Sequence, residues 1–203
     1  MIRIFPLIFI LLWSSAFITT KPIIDNSDPF SALAFRFFFV AVGFYLFSAY
    51  SKQSIIIKKK NLVESVLSGV LFHGFYLGGV FYSISIGMPT GIAALIVTLQ
   101  PVLTNALSGP ILGEKVTLKQ WIGVLLGFIG ATLVLGFDVG SEIPLLGLVA
   151  TMVALVAITT STICQKKLSN NLPLSVSNFY QALGGCMFHI LIIILFAKPY
   201  IVF

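Results

Sequence analysis

The sequence predicts an all-α fold, a polytopic transmembrane helix bundle, and three observations carry that reading. Of 203 residues, 58% are hydrophobic and only 9% charged, against about 25% charged in soluble domains. The 49 residues from Ser65 to Gly113 contain no Asp, Glu, Lys or Arg, whereas one membrane-spanning helix needs about 20 apolar residues. The charges elsewhere fall between apolar windows or at their ends, and only Arg36 lies well inside one.

Seven windows qualify as spans: 4–20, 30–50, 62–86, 91–112, 120–137, 144–164 and 174–196. The first follows Arg3 and imitates a secretory signal, but no small-x-small cleavage site precedes Trp13 and six more spans follow, so it reads as a helix. The second begins beside Pro29 and carries Arg36 about 10 Å into the membrane, at 1.5 Å per residue. The third and fourth are separated by the turn Gly87-Met88-Pro89-Thr90-Gly91.

Within the fourth span Pro101 lacks an N–H and frees the carbonyl of Val97, which predicts a bend. Thr98, Pro101, Asn105 and Ser108 recur at helical spacing. Unpaired backbone groups in hydrocarbon need partners, so this stripe is expected to face protein or a water-filled cavity. Glu114 should end the fourth helix and pair with Lys115 or Lys119. Thr117 and Gln120 suit an N-cap and its N3 partner at the start of the fifth. Gly123, Gly127 and Gly130 on the fifth helix, like Gly74 and Gly78 on the third, are expected to pack closely against neighbours. Cys164 and Cys186, in the sixth and seventh spans, read as free thiols packed as small hydrophobes, with no disulfide and no metal site.

With the N-terminus in the cytoplasm, the inner segments hold nine Lys and Arg (Arg3, Lys52, Lys58, Lys59, Lys60, Lys115, Lys119, Lys166, Lys167) and the outer ones two, Lys21 and Lys198. That bias sets an N-in orientation. The net charge of +6 is therefore a topology signal at an anionic leaflet, not a nucleic-acid patch.

Slid against itself by 144 residues, the chain lays Pro29-Phe30-Ser31 over Pro173-Leu174-Ser175, each after a polar turn. The units so defined are residues 1–137, with five helices, and 144–203, with two. An odd count inverts the second unit, the plan of many secondary transporters. Three further helices would complete it, so the chain reads as seven of ten helices.

Three stretches carry a family likeness: Trp13-Ser14-Ser15-Ala16-Phe17, with Ser14 where Gly is more usual; Pro29 with Ala34-Phe35-Arg36-Phe37; and Gly91, Ala94, Pro101, Gly113-Glu114, Thr117, Gln120, Gly123, Gly127 and Gly130. Together they resemble the EamA-like branch of the drug/metabolite transporter superfamily. The resemblance implies a permease or exporter of small metabolites or drug-like compounds, working by alternating access in the cell membrane. The alternative is a truncated, non-transporting remnant or helical scaffold of the same family.

Candidate substrate-binding residues are Trp13, Ser15, Arg36, His73, Tyr76, Gln100 and Asn105. Arg36 either offers a bidentate donor to a carboxylate or phosphate or snorkels to the outer interface. His73 either relays protons or is a neutral histidine bonded to a neighbouring helix; for His189 the relay role is less favoured. Trp13, Tyr76 and Tyr82 suit a pocket wall, or simply packing. Pro101, Gly113, Glu114, Thr117, Gln120, Gly123 and Gly127 form the structural motif. No HExxH, Gly-x-Ser-x-Gly or CxxC is present, so no catalytic residue, cofactor or metal is assigned. The partners expected are the lipid bilayer, a small-molecule substrate, and either a second copy or the missing helices, with no nucleic acid.

Overall fold

The computed structural model describes residues 4–113, 117–135, 143–168 and 172–196. Among them stand seven helical rods: α1 (Phe5–Asn26), α2 (Pro29–Tyr50), α3 (Lys59–Ser85), α4 in two pieces (Thr90–Val97 and Gln100–Leu112), α5 (Leu118–Leu135), α6 (Leu145–Leu168) and α7 (Leu174–Phe196). Five of these, α2, α3, α4, α6 and α7, contain stretches long and apolar enough to cross a bilayer. The protein is an all-α multi-pass membrane bundle.

Local chemistry fixes the ends. Asp28 caps α2 by accepting from the Ser31 amide at 2.7 Å, and Pro29 takes the first helical position, where a missing N–H costs nothing. Gly87 turns the chain between α3 and α4 at φ +98°, a left-handed conformation that side chains resist. Pro101 does break α4: the helix is interrupted at Thr98 and Leu99, one turn before the proline. At the start of α5, Gln120 Oε1 accepts from the Thr117 amide at 2.8 Å while the Gln120 amide reaches Thr117 Oγ1 at 3.4 Å. That is the reciprocal capping pair its residues suggest. α1 differs from its expected span by continuing through Pro22 to Asn26. Glu114 and Lys115 lie outside the described residues, and so does the ion pair expected of Glu114.

The core sits where α2, α3, α6 and α7 meet, around Leu33, Phe37, Val80, Phe81, Ala154, Ile158 and Ala182. Contacts give each helix its direction. Ala34 of α2 accepts a bond from the Cys186 thiol, and Gln53 just past α2 bonds Ser175 at the start of α7, so these two run antiparallel. Ser68 of α3 bonds Ser161 of α6 at 3.0 Å, and Gly79 faces Ala150, which makes that pair antiparallel too. α3 and α7 run parallel, because Gly69 meets Gln181 and Gly78 meets His189. These directions agree with a chain that crosses at every helix.

Two further features depart from the sequence reading. Residues Val70–Leu77 of α3 form a π-helical segment, which no apolar pattern announces. Its wider turn carries one extra residue between Gly69 and Gly74, so that both glycines face α7. The second departure corrects the packing assigned to α5. A Cβ added at Gly123, Gly127 or Gly130 would meet nothing within 4 Å, whereas one at Gly74 would stand 2.7 Å from the Phe188 ring. Small residues permit close approach but do not supply the neighbour, and among the described residues the main contacts of α5 are with α4.

Candidate substrate-binding cavity

A cavity of about 220 Å³ opens between α1, α2 and α3. One wall is a face of α1, where Leu12 or Trp13, Ala16 and Thr20 recur at helical spacing. The opposite wall comes from α3, where Phe72, His73, Tyr76, Leu77, Val80 and Phe81 line it. Arg36 and Phe37 of α2 complete the lining. Most of the α3 wall belongs to the π segment, and π turns recur at functional sites because they re-aim side chains.

Aromatic rings hold the polar groups in place. The His73 ring lies 4.3 Å from Phe37 and 5.1 Å from Phe72, and Phe72 packs edge-on to Tyr76 at 5.4 Å, centroid to centroid. The Arg36 guanidinium carbon stands 5.7 Å from the centre of the Phe37 ring, within cation–π range. Among the described residues no carboxylate pairs with it: Asp25 pairs with Lys21, Glu64 with Lys60, and Asp28 caps α2. His73 Nδ1 is buried with no hydrogen-bond partner. Arg36 lines this largely aromatic cavity while itself remaining exposed, and a cation on a membrane helix calls for an anionic or polar companion.

Of the seven candidate binding residues, the structure brings together Trp13, Arg36, His73 and Tyr76. Ser15 turns back to its own helix, donating to the Leu12 carbonyl at 2.8 Å. Gln100, beside the α4 break, bridges Thr104 and Thr162 at 3.2 Å each and so ties α4 to α6. Asn105 lies half-buried farther along α4, away from the cavity lining. Tyr82 stacks on Phe30 at 6.1 Å and is not in the lining either. The histidine bonded to a neighbouring helix is His189, whose Nε2 donates to the His73 carbonyl at 2.9 Å. Sequence reasoning missed Phe37, Phe72 and Phe81; the four-residue spacing of Phe72, Tyr76 and Val80 was the available signal.

Five helices of membrane-spanning length among the described residues define a multi-pass membrane protein, and α2 and α3 of that set line the cavity. The profile of the EamA-like transporter family matches residues 2–136, and the chain belongs to that family. It is 26% identical over 166 residues to a probable amino-acid metabolite efflux pump of Escherichia coli (strain K12), covering 81% of this chain and 53% of that protein. It is 31% identical over 106 residues to an uncharacterised transporter of Bacillus subtilis (strain 168), covering 52% and 33%. An uncharacterised transporter of Archaeoglobus fulgidus is 26% identical over 179 residues, covering 85% and 60%. The chain thus spans about half the length of the curated relatives it matches.

Proposed function

We propose that the chain moves small metabolites across the membrane by alternating access, with the α1–α2–α3 cavity as its substrate site. The observation that carries this reading is Arg36, a guanidinium without a carboxylate partner among the described residues, lining a cavity shared with Trp13, His73 and Tyr76. Such a site suits a compound with a carboxylate or phosphate, gripped by the planar guanidinium, and an aromatic or aliphatic body against Trp13 and Phe72. The names of the Escherichia coli and Salmonella typhimurium relatives, both probable amino-acid metabolite efflux pumps, favour export. The antiparallel neighbours α2 and α7 support an inverted second unit over 144–203 after a first unit over 1–137. The nine-to-two excess of Lys and Arg on one side supports a cytoplasmic N-terminus in the plasma or inner membrane.

Flux through proteoliposomes holding only these 203 residues tests the reading. Uptake or efflux of anionic metabolites is expected, and Arg36→Ala should lower it tenfold or more, since a hydrogen bond to a charged group contributes roughly 1.5–3 kcal/mol. Arg36→Ala flux equal to wild type would remove Arg36 from the site. One observation favours a second reading, a non-transporting scaffold: among the described residues the glycine face of α5 has no neighbour within 4 Å. No flux across a broad metabolite panel would select it, and flux restored by a second copy or by added helices would select an incomplete transporter.

A further inference from the structure

Eight residues of α3, Val70–Leu77, keep π geometry, although π turns are rare and mostly single. Something must favour this geometry over the ordinary helix. Among the groups the cavity does not use, His189 is placed to do so. It is fully buried on α7, outside the cavity lining. Its Nε2 lies 2.9 Å from the carbonyl oxygen of His73, in the middle of the π segment. A carbonyl only accepts, so Nε2 carries a proton; the Nδ1 of the same ring is buried and without a partner among the described residues.

The surroundings are shaped for this contact. A Cβ at Gly78 would stand 3.0 Å from His189 Cε1, and a Cβ at Gly185 would stand 2.4 Å from the Cβ of His73. Each histidine therefore occupies the space left by a glycine on the opposite helix. Phe30, Phe37 and Phe188 surround the His189 ring at 6.1, 6.0 and 5.6 Å. A carbonyl oxygen has two lone pairs, and within that apolar box the His189 N–H engages one of those on His73.

We propose that His189 is a positioning residue: its N–H bond to the His73 carbonyl holds the π turn of α3 and so fixes where His73 and Tyr76 stand in the cavity. The effect on ligand binding rests on the cavity reading given above; the effect on the π turn does not.

Hydrogen exchange on the full chain in lipid nanodiscs separates the two. In His189→Leu the amides of residues 70–78 should exchange at least tenfold faster than in wild type, with α6 unchanged. His189→Gln, whose amide N–H can reach the same carbonyl, should stay within about threefold of wild type. Binding of benzoate, followed by Trp13 emission in a Trp121→Phe background, should weaken about tenfold in His189→Leu and recover in His189→Gln. Unaltered exchange of residues 70–78 in His189→Leu, or His189→Gln behaving as His189→Leu does, would overturn the assignment. If neither variant folds, ¹⁵N spectra of the wild-type imidazoles decide: a proton on His189 Nε2 upholds it and a bare Nε2 overturns it. Faster exchange in His189→Leu with no benzoate response even in wild type would uphold the clamp and defeat the cavity reading instead.

Discussion

α3 and α5 carry the same sequence feature, glycines a helical turn apart in an apolar segment, yet among the described residues only the α3 set is packed. On α3, Gly69, Gly74 and Gly78 meet the Gln181 backbone, Phe188 and His189 of α7. On α5, Gly123, Gly127 and Gly130 face open space. In water the uncovered stripe would be a defect; in lipid it costs little, because hydrocarbon solvates an apolar helix as well as another helix does. Glycine spacing therefore reports that a helix can be approached, and the partner's own surface decides whether it is. α7 offers that surface to α3 through Gly184 and Gly185, which sit against Val66 and His73.

Substitution at the two stripes should pull them furthest apart. Gly69→Ala puts a Cβ 2.0 Å from the Gln181 carbonyl oxygen, a backbone atom with no room to yield. The expected result is a loss of roughly 3 kcal/mol or failure to fold, read as the unfolding midpoint in detergent; a wild-type midpoint would mean that α3 and α7 are not in contact there. Ser161→Ala removes the buried hydroxyl that bridges Ser68 between α3 and α6, and should cost about 1 kcal/mol, the usual scale for hydrogen bonds between membrane helices. Gly127→Ala should act in the opposite sense, gaining about 0.5 kcal/mol from helix propensity alone. A loss at Gly127 would show that its face is covered in the membrane, by a second copy or by further helices, and the contrast with α3 would vanish.

Much of the fold was legible because membrane helices announce themselves by length and lack of charge. The seventh window, 174–196, has the limits of α7, and the second differs from α2 by one residue. Pro101 and the Thr117–Gln120 pair act through local backbone chemistry, and both appear where their residue types put them. The π segment was not legible, since an apolar run looks alike whether its carbonyls bond four or five residues ahead. Nor was the bond between His189 and the His73 carbonyl, which joins residues 116 apart. In the cavity, Trp13, Arg36, His73 and Tyr76 stood out by residue type. Phe37, Phe72 and Phe81 did not, because the chain has 19 phenylalanines and a ring facing lipid is no different in sequence from one facing a pocket. Gln100 and Asn105 drew notice as polar residues beside a kink. For Gln100 the hydroxyls of Thr104 and Thr162 provide the partner, by the interhelical bonding expected of amides at such depth.

The antiparallel pairing of α2 with α7 also sets an order on biogenesis. The Ala34–Cys186 contact joins residues 152 positions apart, and ribosomes add about 5–20 residues per second. α2 must therefore sit in the membrane for on the order of ten seconds before its principal neighbour is made, and α3 waits almost as long for the same helix. During that interval lipid tails must fill the hollows at Gly69, Gly74 and Gly78, and the arrival of α7 expels them.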